Sequence, residues 1–268
     1  MLVTSVLSLK GGVGKTSVVL GLASAALHRN IPTLVVDLDP QSNATITLDP
    51  GSTVASIADL LAEASAANAG RAVADSAWGP TVRIIPGSES AEHLNHPDPG
   101  ARALGKLRSA LGRIRPAPEL VLIDCPPSLG QLTRNGLVAS TRALLVTEPA
   151  LYAVTGVQRA LEAVHDERLV HQPALQPLGV LVNKARARSS EQDYRINELK
   201  ELFGPLVLSP VVPDRSAIQQ AQGAGVPIHS WPSAGAREVA SVFDKLLDRL
   251  LSSVDQSAPA STSAPVAS

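Results

Sequence analysis

Short apolar runs alternate with longer segments of helical period along most of the chain. Residues 2–9 (LVTSVLSL) read as a buried strand, and residues 16–29, rich in Ala, Leu and Val, read as a helix. Residues 33–37 (TLVVD), 82–85, 120–124 (LVLID), 143–147 and 178–183 repeat the strand pattern, with a short one at 206–208. Helices are predicted over residues 54–63, 101–114, 157–169, 191–202, 217–222 and 237–251. The last of these gathers Val239, Val242, Phe243, Leu246, Leu247 and Leu250 on one face. This alternation predicts an α/β fold, a doubly wound and mainly parallel sheet with helices on both faces. From Ser252 onward Asp255 is the only charged residue, and Ser, Ala and Pro dominate. Such a segment buries too little apolar surface to fold, so residues 1–251 are expected to form one domain and residues 252–268 a disordered tail.

Composition narrows the picture. A chain of 268 residues with 44% hydrophobic content is long enough for one large core. Only 2% of residues are aromatic, so that core must be built from Ala, Val, Leu and Ile. The net charge of −1 argues against a protein that coats nucleic acid constitutively, and any such contact needs a local patch or one completed by dimerisation. The lone cysteine, Cys125, excludes an intrachain disulfide and a Cys-rich metal site, and fits a reducing cytoplasm. No signal-peptide pattern opens the chain, and no apolar run reaches the ~18 residues of a membrane span. A soluble, cytoplasmic protein is expected.

The first strand leads into KGGVGKTS at residues 10–17, followed by a helix. Strand, Gly-rich loop and helix are the setting of a phosphate loop. Gly11, Gly12 and Gly14, with Val13 between them, let backbone N–H groups curl around a polyphosphate. Lys15 is placed to meet the β- and γ-phosphates, Thr16 to offer its hydroxyl to Mg²⁺, and Ser17 to open the helix whose N-terminus faces the anion. The ordinary pattern has glycine where this chain has Leu9, and a second lysine, Lys10, opens the loop instead.

Three carboxylates end apolar strands. VVDLDPQSN puts Asp37 and Asp39 at one carboxyl edge, and LVLIDCPPS puts Asp124 at another. One Asp at a strand end is more often a turn or helix cap. Three beside a phosphate loop make sense as support for Mg²⁺ and as the group that orients attacking water.

KGGVGKTS, VVDLDPQSNAT, LIDCPPSLG and LGVLVNK, in this order, resemble the ParA/MinD family of dimeric ATPases, and the second and third motifs resemble its ParA branch. The resemblance runs from about residue 3 to residue 250. It implies ATP with Mg²⁺ as cofactors and a homodimer in the ATP state. Lys10 would be the signature lysine that reaches the partner's phosphates, and Asp39 the acid that aids water attack. Asp37 and Asp124 would support the metal with Thr16, Asn183 would read adenine, and Pro213 and Asp214 would lie beside the base. It further implies nonspecific DNA binding, a nucleoid-associated location, and a ParB-like or other stimulating partner with a basic N-terminal peptide. Two departures stand out: Ser8-Leu9 replaces the usual Asn-Gln, and Ala217 stands where a DNA-contacting arginine is common.

Two basic clusters are candidates for DNA contact. Lys184, Arg186 and Arg188 follow Asn183, with Arg195 and Lys200 further along and Arg215 beyond them. Arg102, Lys106, Arg108, Arg113 and Arg115 form the second, which also reads as an ordinary solvated helix face. The first is favoured by its position in the family. A MinD-like membrane protein is the alternative, but the last helix balances Lys245 and Arg249 against Asp244 and Asp248, which argues against a basic membrane helix. A ParA-like regulator of division or polarity without DNA segregation is another alternative. Iron–sulfur carriers and arsenite pumps need more cysteines, and dethiobiotin synthetase lacks the DPQSNAT and DCPPSLG pattern.

Overall fold

The apolar runs become strands because each is covered on both faces. The computed structural model describes residues 1–96 and 99–253. Its strands are β1 (Leu2–Leu7), β2 (Thr33–Asp37), β3 (Ala74–Ser76), β4 (Gly79–Ile85), β5 (Leu120–Asp124), β6 (Arg142–Thr147) and β7 (Gln176–Val182). They form one sheet in the order β3-β4-β2-β5-β1-β6-β7. Every residue of β1, β2, β5 and β6 is buried, which is why these strands read as unbroken apolar runs and not as alternating ones. All pairings are parallel except that of β3 with β4.

The helices are α1 (Lys15–His28), α2 (Asn43–Leu48), α3 (Ile57–Ala62), α4 (Ala66–Ala72), α5 (Ala101–Leu104), α6 (Lys106–Leu111), α7 (Gln131–Ala139), α8 (Ala153–Val170), α9 (Ser190–Phe203), α10 (Ser216–Gly223) and α11 (Ala234–Ser252). On one face α1 and α11 pack together, with Val18, Leu22, Val239, Phe243 and Leu247 buried between them and the sheet. Gly21 permits this approach: a Cβ there would lie 2.2 Å from the Phe243 ring. The opposite face is covered by α3, α6, α7 and α8 through Leu60, Leu107, Leu132 and Val157. Burying side chains of this size stabilises the fold by roughly 1.5–3 kcal/mol each. The apolar face of α11 is spent on this core, so it is not available to a membrane. Among the described residues no helix is long and apolar enough to cross one.

Several boundaries differ from the sequence reading. The strand expected at 2–9 stops at Leu7, and α1 begins at Lys15, two residues before Ser17. The helix expected at 101–114 is broken at Gly105 into α5 and α6. No strand forms at 206–208: a 3-10 turn over Gly204–Leu206 leaves only one parallel bridge, Val180 to Val207. The sequence reading missed α7. Its Thr133, Asn135 and Gly136 blur the helical period, yet Gly136 fits against Cys125, Ser5 and Leu38, where a Cβ would meet each at 3.1–3.2 Å. The last helix continues to Ser252, and the expected tail, from residue 254 on, lies outside the described residues.

Candidate functional site

The order of the sheet places β1 between β5 and β6, with β2 beyond β5. The chain leaves β1 for β2 on one side and comes back to β6 on the other, so a crevice opens beyond the carboxyl ends of the central strands. The loop from Ser8 to Gly14 fills it. Gly12 and Gly14 adopt φ of 77° and 90°, a left-handed conformation that favours glycine. Asn183 Nδ2 donates to the Val13 carbonyl at 2.8 Å, and Lys184 Nζ donates to the Gly12 carbonyl. Holding those carbonyls from the β7 side suits a phosphate-cradling loop, because its N–H groups are the ones an anion needs. A Cβ on Gly14 would lie 2.4 Å from Asn183 Nδ2.

Below the loop, Asp37 and Asp124 are register neighbours on the parallel strands β2 and β5. Asp37 is fully engaged. Its Oδ2 accepts from the Thr45 N–H at 2.9 Å and the Thr45 hydroxyl at 2.7 Å, and its Oδ1 from the Asp39 N–H at 3.2 Å. Asp37 therefore pins the start of α2. Asp124 Oδ2 accepts from the Thr16 hydroxyl at 2.7 Å, while its Oδ1 is buried with no hydrogen-bond partner among the described residues. Burial raises both carboxyl pKa values. At Asp37 the bonds from Thr45 oppose the rise, and at Asp124 the charge of Asp37 adds to it while Thr16 and Lys15 oppose it.

A cleft of about 320 Å³ opens above these groups. Its walls come from the loop with Lys15, Thr16 and Ser17, from Asp39, and from Pro213, Asp214 and Arg215 opposite. Gly11, Gly12, Gly14 and Lys184 also line it. Asp39 Oδ1 accepts from the Gln41 N–H at 3.0 Å. Five nucleotide-site candidates lie outside the lining: Asp37 and Asp124 beneath it, Val13 buried within the loop, Asn183 behind the loop, and Lys10 on the far side. Lys10 is 54% exposed and forms an ion pair with Glu148, just beyond β6.

The residues expected to touch DNA are scattered among other tasks. Lys184 is on the phosphate loop, Arg186 pairs with Asp214 at 3.0 Å, and Arg215 holds Glu238 through two bonds at 2.8 and 3.0 Å. Arg188 alone of the four is exposed without an ion pair among the described residues. Sequence reasoning missed Glu148, although it follows strand residues 143–147 as Asp124 ends its own strand. It gave no role to Thr45, the last residue of the VVDLDPQSNAT motif, which donates to Asp37, and it missed Gln222, which accepts from the Ser17 hydroxyl at 3.2 Å and has no sequence signal because the two lie in distant segments.

The donor set fits Mg²⁺ carried with a polyphosphate. Among the described residues no three His, Cys, Asp or Glu side chains are placed to hold a metal by themselves. Thr16 beside an Asp124 oxygen without a partner is instead what a cation completing its shell with phosphate and water requires. Fold and site together define a phosphate-loop nucleotide-binding protein of the doubly wound class.

Comparison with known proteins narrows this further. A family model described as an AAA domain matches residues 1–176. The chromosome-partitioning ATPase Soj of Treponema pallidum is 30% identical over 250 residues, covering 90% of this chain and 94% of that protein. The sporulation initiation inhibitor protein Soj of Bacillus subtilis is 30% identical over 228 residues, covering 82% and 87%. A crystal structure of cobyrinic acid a,c-diamide synthase from Mycobacterium smegmatis, with bound ATP analogue and magnesium, superposes with a TM-score of 0.77 at 27% identity, covering 94% and 97%. The chain belongs to the ParA/MinD family of ATPases.

Proposed function

We propose that this ATPase positions or partitions a cargo by closing an ATP-dependent dimer that holds nonspecific DNA, with hydrolysis opening it again. ATP and Mg²⁺ are its cofactors. Lys15 meets the β- and γ-phosphates from its own chain, and the N-terminus of α1 faces them. Thr16 and Asp124 would hold Mg²⁺, which would supply neutralising charge to the phosphates. Asp39, on the cleft wall, orients the attacking water. Asp37 sets the loop that carries Asp39 and leaves the metal to Asp124.

The observation that carries the dimer reading is the position of Lys10. Its ammonium points away from the cleft that Lys15 occupies and lies at the surface. A second ammonium beside Lys15 would meet Coulomb repulsion, whereas a γ-phosphate on another subunit attracts it. A two-fold dimer makes the contact reciprocal. Sedimentation with a slowly hydrolysed ATP analogue tests this. Wild type is expected to dimerise, and Lys10→Ala to bind the analogue as a monomer. Dimerisation of Lys10→Ala at wild-type concentrations overturns the trans-lysine reading.

An amide-forming synthase is less well supported. Taking nitrogen from glutamine through a cysteine needs an accessible thiolate, and Cys125 is fully buried with its thiol pushed to about 12 by that burial.

A further inference from the structure

The partner of the second basic cluster is legible from where its charges go. Between residues 99 and 118 the chain carries Arg102, Lys106, Arg108, Arg113 and Arg115 and no carboxylate. Between Lys184 and Arg215, by contrast, six cations are set against five carboxylates. The structure sharpens the difference. Arg186, Arg195 and Arg215 are each in ion pairs. Among the described residues, none of the five in the second cluster pairs with a carboxylate.

Their donors turn to backbone carbonyls instead. Lys106 Nζ donates to Ala62 O at 3.1 Å, the last residue of α3, and Arg113 to Ala64 O at 2.9 Å. Arg115 donates to the Gly112 and Ile114 carbonyls, and Arg108 to His171 O at 3.4 Å. Arg83, from β4, joins the patch by donating to Pro116 O at 2.7 Å. A carbonyl fixes a guanidinium in place without cancelling its charge. The cluster therefore stays positive, and Lys106, Arg113 and Arg115 are held in position. Arg102 and Lys106 line an open groove of about 870 Å³ between α6 and the α3–α4 loop, in which Glu63 is the only carboxylate among the described residues. Among the described residues no large exposed apolar side chain lines it.

We infer that this face of α5 and α6, with the 113–116 turn, is where the protein holds the DNA backbone, in place of the residue 184–215 segment. The inference rests on the DNA-binding reading above. Held but unneutralised cations attract a polyanion at long range and release its counterions on contact, with no base readout. A chain of net charge −1 must concentrate that attraction locally, and residues 99–118 are its carboxylate-free stretch with the most cations. The groove's apolar lining is limited to small residues such as Ala62, Ala64 and Ala103, which favours a phosphate backbone over a lipid surface, since the latter takes up large apolar side chains.

The test uses the full chain with ATP and Mg²⁺, a labelled random-sequence duplex, and two salt concentrations. Arg102→Glu with Arg108→Glu is the main variant, because among the described residues Arg102 has no hydrogen bond and Arg108 only a long one. Nucleotide affinity and the melting curve serve as controls. Expected are at least a tenfold loss of duplex affinity and a salt slope shallower by about 2, near 0.9 per phosphate contact. Arg186→Glu with Arg188→Glu should lose less than threefold. The milder Arg102→Gln with Arg108→Gln should lie between wild type and the reversal. If the Arg102/Arg108 reversal binds the duplex as wild type does while the Arg186/Arg188 variant loses it, the assignment is overturned. The same holds if wild type binds phosphatidylglycerol vesicles but the reversal loses only that. A wild type that fails to bind duplex with ATP removes the DNA-binding reading itself.

Discussion

Lys10 and Glu148, 138 residues apart in sequence, meet in an ion pair at the mouth of the β1 and β6 strand ends. The lysine is 54% exposed and the glutamate 26%, so water screens the pair heavily. Such a contact holds the lysine in a defined place while leaving it easy to capture by a doubly charged phosphate. Glu148→Gln should therefore still dimerise with an ATP analogue. The analogue concentration needed should fall by no more than about fivefold, the equivalent of about 1 kcal/mol for an exposed pair. Sedimentation across an analogue titration measures this. A variant that needs more analogue than wild type would show that Glu148 contributes to the dimer and does not merely park Lys10.

Lys15 is buried at the start of α1 and lines the cleft. Lys15→Ala should weaken ATP binding by at least tenfold, about 1.4 kcal/mol, as expected for a lost charge-assisted contact to phosphate. Isothermal calorimetry reads it directly, and equal affinities would contradict the role.

Asp39 lines the cleft but does not hold the loop. Asp39→Ala is expected to bind ATP and dimerise as wild type does, with steady-state hydrolysis reduced by two or more orders of magnitude, about 2.7 kcal/mol or more in the barrier. Turnover within about twofold of wild type would leave Asp39 without a part in the chemistry.

The Asp37–Asp124 pair predicts an unusual dependence on pH. Burial raises the Asp124 carboxyl to about 8, with the Asp37 charge adding to the effect. Between the ordinary carboxylate range and that value the folded chain binds more protons than the unfolded one. Stability without nucleotide should thus fall as pH rises from about 4 to 8. Asp124→Asn keeps an acceptor for the Thr16 hydroxyl and removes the charge. It should melt about 2–6 °C above wild type at pH 8, with the gap closing near pH 5, and it should bind Mg²⁺-ATP more weakly. Equal melting temperatures at pH 8 would show that the Asp124 charge costs the nucleotide-free fold nothing.

Gly21 tests the packing that closes the sheet's first face. Gly21→Ala places a methyl 2.2 Å from the Phe243 ring and should destabilise the fold by about 1–3 kcal/mol despite the better helix propensity of alanine. Combining it with Phe243→Leu should recover part of the loss, measured by denaturant unfolding.

Much of this protein was decided by local sequence. The unbroken apolar runs announced a sheet covered on both sides, because a strand buried on both faces cannot alternate. KGGVGKTS announced the phosphate loop, because a tight turn with left-handed positions and a lysine at a helix start leaves few other uses for those residues. The family resemblance carried by the four motifs agrees with the comparisons. Tertiary structure alone decided the rest. The sequence presents Asp37, Asp39 and Asp124 as equivalent strand-end acids. Their different environments depend on Thr45 reaching Asp37 and Thr16 reaching Asp124, contacts that no spacing encodes. Lys184 and Arg186 look alike as basic residues after a strand, yet one turns into the loop and the other pairs with Asp214. α7 escaped notice because its core contacts run through a glycine and short polar side chains. Side-chain charge is written in the sequence. Whether a carboxylate, a carbonyl or nothing meets that charge depends on which distant segments the sheet brings together.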